Sequence, residues 1–178
     1  MKGVLFNVVE DVVVETLPPD SWDGALDHAC PGGAYTSLGD YPDAELTAIV
    51  DAVSARTGLS AAEVLRHVGR HGYRHLVERQ PEIVAAATDL GSLLHQLDAV
   101  IHPEVLKLYP DAEVPSFQVT DQGAGRWRVD YRSRRQLCHL AEGLLEGAAD
   151  SFGATATIEQ PEWVHSGAEH CVLLVSVG

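Results

Sequence analysis

The hydrophobic pattern of this chain changes period once, near Tyr109 and Pro110, which limits it to a helix-first, sheet-second fold. Before that point apolar residues recur at helical spacing. Residues 4 to 17 set Val4, Leu5, Val8, Val9, Val12 and Val13 along one side of a helix, although β-branched residues by themselves favour strands. Pro18 and Pro19 end it, and Asp20 can cap a short helix running to about Cys30. The stretch PGGAYTSLGDYPD is then a loop. Asp43 can cap the next helix, striped by Leu46, Ile49, Val50 and Val53 and stopped by Gly58. Ser60 with Glu63 forms a capping box for a helix reaching about Glu78. A long helix follows from Ser92 to about Leu108, with Leu94, Leu97, Ile101, Val105 and Leu108 as its core stripe.

Beyond Pro110 the pattern predicts strands over 115 to 120 and 126 to 132, joined by the turn DQGAG. A helix fits 136 to 149, and two further strands fit 154 to 160 and 170 to 177. The expected architecture is α+β: one domain over 1–178, with a helical subdomain over about 1–60. A mixed subdomain with a four-stranded antiparallel sheet occupies 61–178, and a ligand would sit between the two.

Composition removes several classes. No apolar run approaches the ~18 residues of a membrane span. No basic segment leading into an apolar one opens the chain, which argues against secretion. Three cysteines, Cys30, Cys138 and Cys171, make no disulfide framework, so a reducing cytoplasm is the expected compartment. A formal charge of −14 repels nucleic-acid phosphates and anionic lipid. Against it, Arg126, Arg128, Arg132, Arg134 and Arg135 place five of the 12 basic residues within ten positions. That cluster suits a small anionic ligand or an acidic protein surface; a solvated strand face is the plainer explanation.

Particular residues narrow the chemistry. His102 lies about 100° round the helix from Ile101, bordering the apolar stripe where an imidazole can hold a metal or pack as a core residue. Pro103 next to it removes a helical hydrogen bond and should bend the axis. Tyr131, Ser133 and Arg135 share one face of a strand, two hydroxyls and a guanidinium fit to hold carboxylates. Alternatively, Ser133 with Gln136 caps the following helix and Tyr131 packs. His67, His71 and His75 recur every four residues, the basis of an alternative in which the chain is a zinc-dependent hydrolase or metal-binding protein. A solvated or half-buried histidine face accounts for them equally. Cys138, His165, His170 and Cys171 could gather a structural zinc ion, or be a buried thiol and surface histidines.

The segment HPEVLKLYP from His102 matches H-x-x-V-x-K-L-Y-P, and DYRSRRQ carries Y-x-S-x-R at the usual distance behind it. On these the chain resembles, over essentially its whole length, the haem-nitric oxide/oxygen binding (H-NOX) family related to the haem domain of soluble guanylate cyclase. The resemblance implies haem b (iron) between the two halves. His102 is then the axial ligand, Tyr131, Ser133 and Arg135 clamp the propionates, and Pro115 distorts the porphyrin. Leu5 and Leu144 join the haem-contacting set. Family members that hold O2 carry a distal Tyr, Trp and Asn, where this chain has Leu140, Val9 and Gly72. The resemblance therefore implies an NO sensor that excludes O2, with CO as a weaker ligand and no catalysed reaction. NO would break the Fe–His102 bond, and a histidine kinase or cyclic-di-GMP enzyme would read the change in trans. Some relatives hold a structural zinc near their C-terminus. Retention of His102, Tyr131, Ser133 and Arg135 together argues against a haem-free interaction module.

Overall fold

The computed structural model describes residues 1 to 29 and 34 to 178. The expected helix end at Cys30 and loop residues 31 to 33 lie outside them. Four helices open the order: α1 (Gly3–Thr16), α2 (Ser21–Ala29), α3 (Asp43–Thr57) and α4 (Ala61–Arg79). The valines of α1 do not prevent a helix, because Val8, Val9, Val12 and Val13 are buried with Phe6 and tertiary packing overrides β preference. The capping box of Ser60 and Glu63 is formed as the spacing requires. Asp43 is different. It is the first helical residue rather than the cap, and its carboxylate is taken by an arginine and the N-terminus.

The long helix expected over 92 to 108 is not continuous. A short α5 (Pro81–Val84), missed by the sequence reading, precedes α6 (Leu90–Gln96), which Asp89 and Ser92 cap reciprocally. A π turn over Leu97–Ile101 then leads into α7 (His102–Leu108). The N–H of His102 returns to the carbonyl of Leu97, five residues back, and Pro103 has no N–H to offer. The proline therefore produces a wider turn ahead of it instead of a simple bend. Leu108, assigned to the core stripe, is 45% exposed.

The second half supplies β1 (Ser116–Gly123), β2 (Arg126–Arg132), α8 (Cys138–Ser151), β3 (Ala156–Glu162) and β4 (Cys171–Val177). The sheet order is β1-β2-β4-β3, every pair antiparallel. The hairpin turn holds Gly123, Ala124 and Gly125 all at positive φ. Pro161 falls where the register of edge strand β3 shifts, between Glu159 and Glu162, where no ladder donor is needed. The proposed Ser133–Gln136 capping box is absent. Gln136 has φ 53°, the Ser133 hydroxyl accepts from the Arg135 N–H, and α8 begins only at Cys138.

Helices α4 and α8 form the spine beneath the site. A Cβ on Gly143 would stand 2.0 Å from the Arg66 carbonyl, and one on Gly69 2.3 Å from that of Leu140. Only glycine permits that approach. Arg66 pairs with the buried Glu142 and Glu146, and Arg70 with Asp150, fastening the two helices along their length. One core cluster joins α1, α2 and α3 to Val64 and Val68 of α4. Another joins α6, Ile101 and α8 to the inner face of the sheet.

Candidate functional site

Between these two clusters lies a cavity of about 330 Å³. His102, Pro115, Tyr131, Ser133 and Arg135 all line it, as do Leu5, Leu140 and Leu144. Thus β2, the π turn with α7, and α1 with α8 bring together residues that stand far apart in the chain.

His102 is fixed at one nitrogen. Its Nδ1 lies 3.0 Å from Oδ1 of Asp98, while Oδ2 of Asp98 accepts the Phe117 N–H at 2.7 Å. The Phe117 ring packs on His102 at a centroid distance of 5.5 Å and on Tyr131 at 5.2 Å. Burial pushes His102 below the usual imidazole range, with Asp98 acting the other way. A neutral ring with Nδ1 engaged leaves Nε2 as the metal-binding nitrogen. Asp98 and Phe117 were not singled out in the sequence. An acid four residues before a candidate ligand is the signal for the first; only strand register reveals the second.

The expected single strand face is not what joins the three: β2 ends at Arg132, so Tyr131 reaches the cavity from the strand while Ser133 and Arg135 reach it from the turn that follows. Burial raises Tyr131 above the usual phenol range, against its bonds to Ser133 and the Leu137 backbone, so it remains a donor. Arg135 donates from Nε to Asp43 at 2.9 Å and from Nη1 to the Glu113 carbonyl at 2.7 Å. Two of its neighbours in the basic cluster are spent on carboxylates, Arg128 on Asp130 and Arg134 on Glu113, and Arg132 lies 3.5 Å from the His170 ring. The cluster is therefore mostly local ion pairs, with Arg135 reaching the cavity.

Two distal assignments shift. Val9 lines a smaller void of about 20 Å³ next to the cavity rather than the cavity itself. Gly72 faces α1, where an added Cβ would lie 2.6 Å from Val8 Cγ1. Helix α4 instead presents Tyr73, Leu76 and Val77, with Gln80 just past its end. The Tyr73 hydroxyl is bonded to Ser151, and burial raises it above the usual phenol range.

Neither metal alternative is supported by placement: no group of three or more ligating side chains suited to a metal occurs among the described residues. Cys138 and Cys171 form a disulfide, correcting the expectation of unpaired thiols and removing the thiolates zinc needs. His165 turns to the Gln136 carbonyl and His170 to Asp130. In the histidine stripe, Thr16 bonds His67, whose ring lies 4.4 Å from that of His71. His75 is buried beside Glu15 and Asp11. These histidines join α4 to α1 and to each other.

An apolar cavity with an imidazole on one wall and a guanidinium with two hydroxyls on another defines a porphyrin-binding α+β domain, and the donor set fits haem. The Haem-NO-binding family model matches residues 2–160. An S. oneidensis H-NOX protein, a mutant in the Fe(II) state, is 35% identical with a TM-score of 0.94, over 100% of this chain and 96% of that one. The same organism's H-NOX protein in the Fe(II)NO state is 34% identical at 0.93, over 100% and 99%. The unliganded Fe(II) H-NOX protein of K. algicida is 27% identical at 0.88, over 100% and 97%. No curated protein matches the chain. The chain belongs to the H-NOX family of haem-based gas sensors. No helix among the described residues is long and apolar enough to cross a membrane.

Proposed function

We propose that this chain is a nitric oxide sensor that excludes O2, carries haem b, takes CO more weakly and signals to a partner in trans. The reading rests above all on His102, tethered at Nδ1 on the wall of an apolar cavity that Leu5, Leu140 and Leu144 also line. Bound haem supplies a ferrous iron able to take a diatomic gas.

In this reading His102 would be the residue that donates to the iron. Arg135, Tyr131 and Ser133 would hold the propionates, and Pro115, just ahead of β1, would pack against the porphyrin. Leu5, Leu140 and Leu144 offer no hydrogen bond, so a gas that depends on a donor gains nothing there while NO needs none. Release of His102 from the iron would free α7, which is joined to α6 only through the π turn and contributes no buried residue of its own. The halves 1–60 and 61–178 then move against one another, and a signalling histidine kinase or cyclic-di-GMP enzyme reads the new surface. The compartment proposed is the cytoplasm, and no reaction is assigned to the chain.

The test is the absorption spectrum of anaerobically reduced, haem-loaded protein given O2 and then NO. The expected result is a Soret band that ignores O2 and shifts with NO. A stable O2 complex would overturn the selectivity and point to Gln80, the amide that lines the cavity from the end of α4. Failure to take up haem would overturn the whole reading.

A further inference from the structure

We infer that Asp98 is the positioning residue of the proximal side, fixing the His102 tautomer and strengthening the imidazole as an iron donor. The inference rests on the haem reading above and adds to it a determinant of the Fe–His bond. In a regular α-helix the His102 N–H would return to the Asp98 carbonyl; here the π turn sends it to Leu97, and Asp98 meets His102 through its carboxylate. A carboxylate on Nδ1 holds the proton there, leaves the lone pair on Nε2, and increases the negative character of the ring more than a neutral acceptor does.

The second oxygen makes the arrangement rigid. It accepts the Phe117 N–H at 2.7 Å, so the same carboxylate ties the ligand to the start of β1. Phe117 then packs on the imidazole, limiting rotation of the ring from its open side. Side-chain exposure is 16% for His102 and 42% for Asp98, which places the carboxylate at the rim and the ring inside. Asp98 therefore acts on the bond to iron through the ring it holds, without touching the porphyrin.

The test compares the full chain with Asp98→Asn, which keeps the shape and removes the charge. In the haem-free full chain, 15N NMR of His102 should show the Nδ1–H tautomer in the wild type and a mixture in the variant. In the ferrous haem-loaded protein, resonance Raman should show the Fe–His stretching band at lower frequency in the variant, with haem retention reduced about tenfold. Asp98→Glu should restore part of the frequency. An unchanged tautomer and band, with faster exchange of the Phe117 amide alone, would reduce Asp98 to a strand tether and overturn the inference. Should the variant fail to fold, a wild-type Nε2–H tautomer overturns it without any variant. Absence of haem uptake by the wild type sinks the proposed function instead, and the haem-free NMR result still decides this one.

Discussion

Arg135 donates through Nε to Asp43 at 2.9 Å, so the cavity guanidinium that follows β2 is fixed to the first residue of α3. The N-terminal ammonium of Met1 approaches the same carboxylate oxygen at 3.2 Å. Three distant parts of the chain thus meet at one acid beside the cavity.

Burial alone would raise the Asp43 carboxyl, but Arg135 and the N-terminal ammonium outweigh it and hold the group below the usual carboxylate range. A folded value below the unfolded one stabilises the protein above the ordinary Asp value of about 3.9, and that contribution is lost as pH falls through the folded value. Urea midpoints measured from neutral pH into acid should therefore drop below about pH 4, and drop less steeply for Asp43→Asn. Parallel curves for the two proteins would show that the pair contributes nothing to acid stability.

Leu140 of α8 lines the cavity and offers it no hydrogen-bond donor. If the proposed selectivity holds, Leu140→Tyr should form a measurable O2 complex that the wild type lacks, with NO binding retained. Autoxidation of the ferrous variant in air, without a stable complex, would show that one donor is insufficient.

The Cys138–Cys171 disulfide closes a loop across a sequence separation of 33, linking the start of α8 to the start of β4. In the chain-entropy picture a loop of that size contributes about 3–4 kcal/mol. Cys138→Ser with Cys171→Ser should lower the denaturation midpoint accordingly, and thiol titration of unfolded wild type should find Cys138 and Cys171 unreactive until reduced. Three free thiols in freshly isolated protein would mean that the pair is reduced where the chain resides. Cys171 is the cross-strand partner of Tyr131, so haem retention should be compared in the same variants.

Gly143→Ala should be costly for a reason no propensity scale contains. Its Cβ would meet the Arg66 carbonyl at 2.0 Å and the Arg70 nitrogen at 2.8 Å, backbone atoms that cannot swing aside. A loss of about 3 kcal/mol is expected from overpacking. Gly153→Ala meets nothing within 4 Å and is limited to its φ of 71°, a cost of roughly 1–2 kcal/mol. Equal midpoints for the two variants would show that α4 and α8 can separate without penalty.

Much of the fold was legible because its signals are local. The switch of period near Pro110 marks where helices give way to the sheet, Ser60 with Glu63 announces α4, and the glycines of DQGAG supply the hairpin turn. His102, Tyr131, Ser133 and Arg135 were legible by spacing and motif, and the structure sets all four around one cavity. Placement relative to the cavity was less legible: Val9 and Gly72 sit on helices whose cavity-facing side depends on how α1 meets α4.

By itself the sequence determined where helices give way to strands, most of those elements, and the imidazole, hydroxyls and guanidinium of the motifs, because periodicity and capping act over a few residues; it did not show α5 or the π turn ahead of His102. Tertiary structure alone decided that Cys138 pairs with Cys171 instead of gathering zinc, that the three α4 histidines serve packing, and that Arg135 finds Asp43. It also decided that Phe117 joins Asp98 and His102 to Tyr131. Each of those outcomes depends on the distance between atoms remote in the chain, set by how α4 packs on α1, α8 on β4, α3 on the turn after β2 and the π turn on β1.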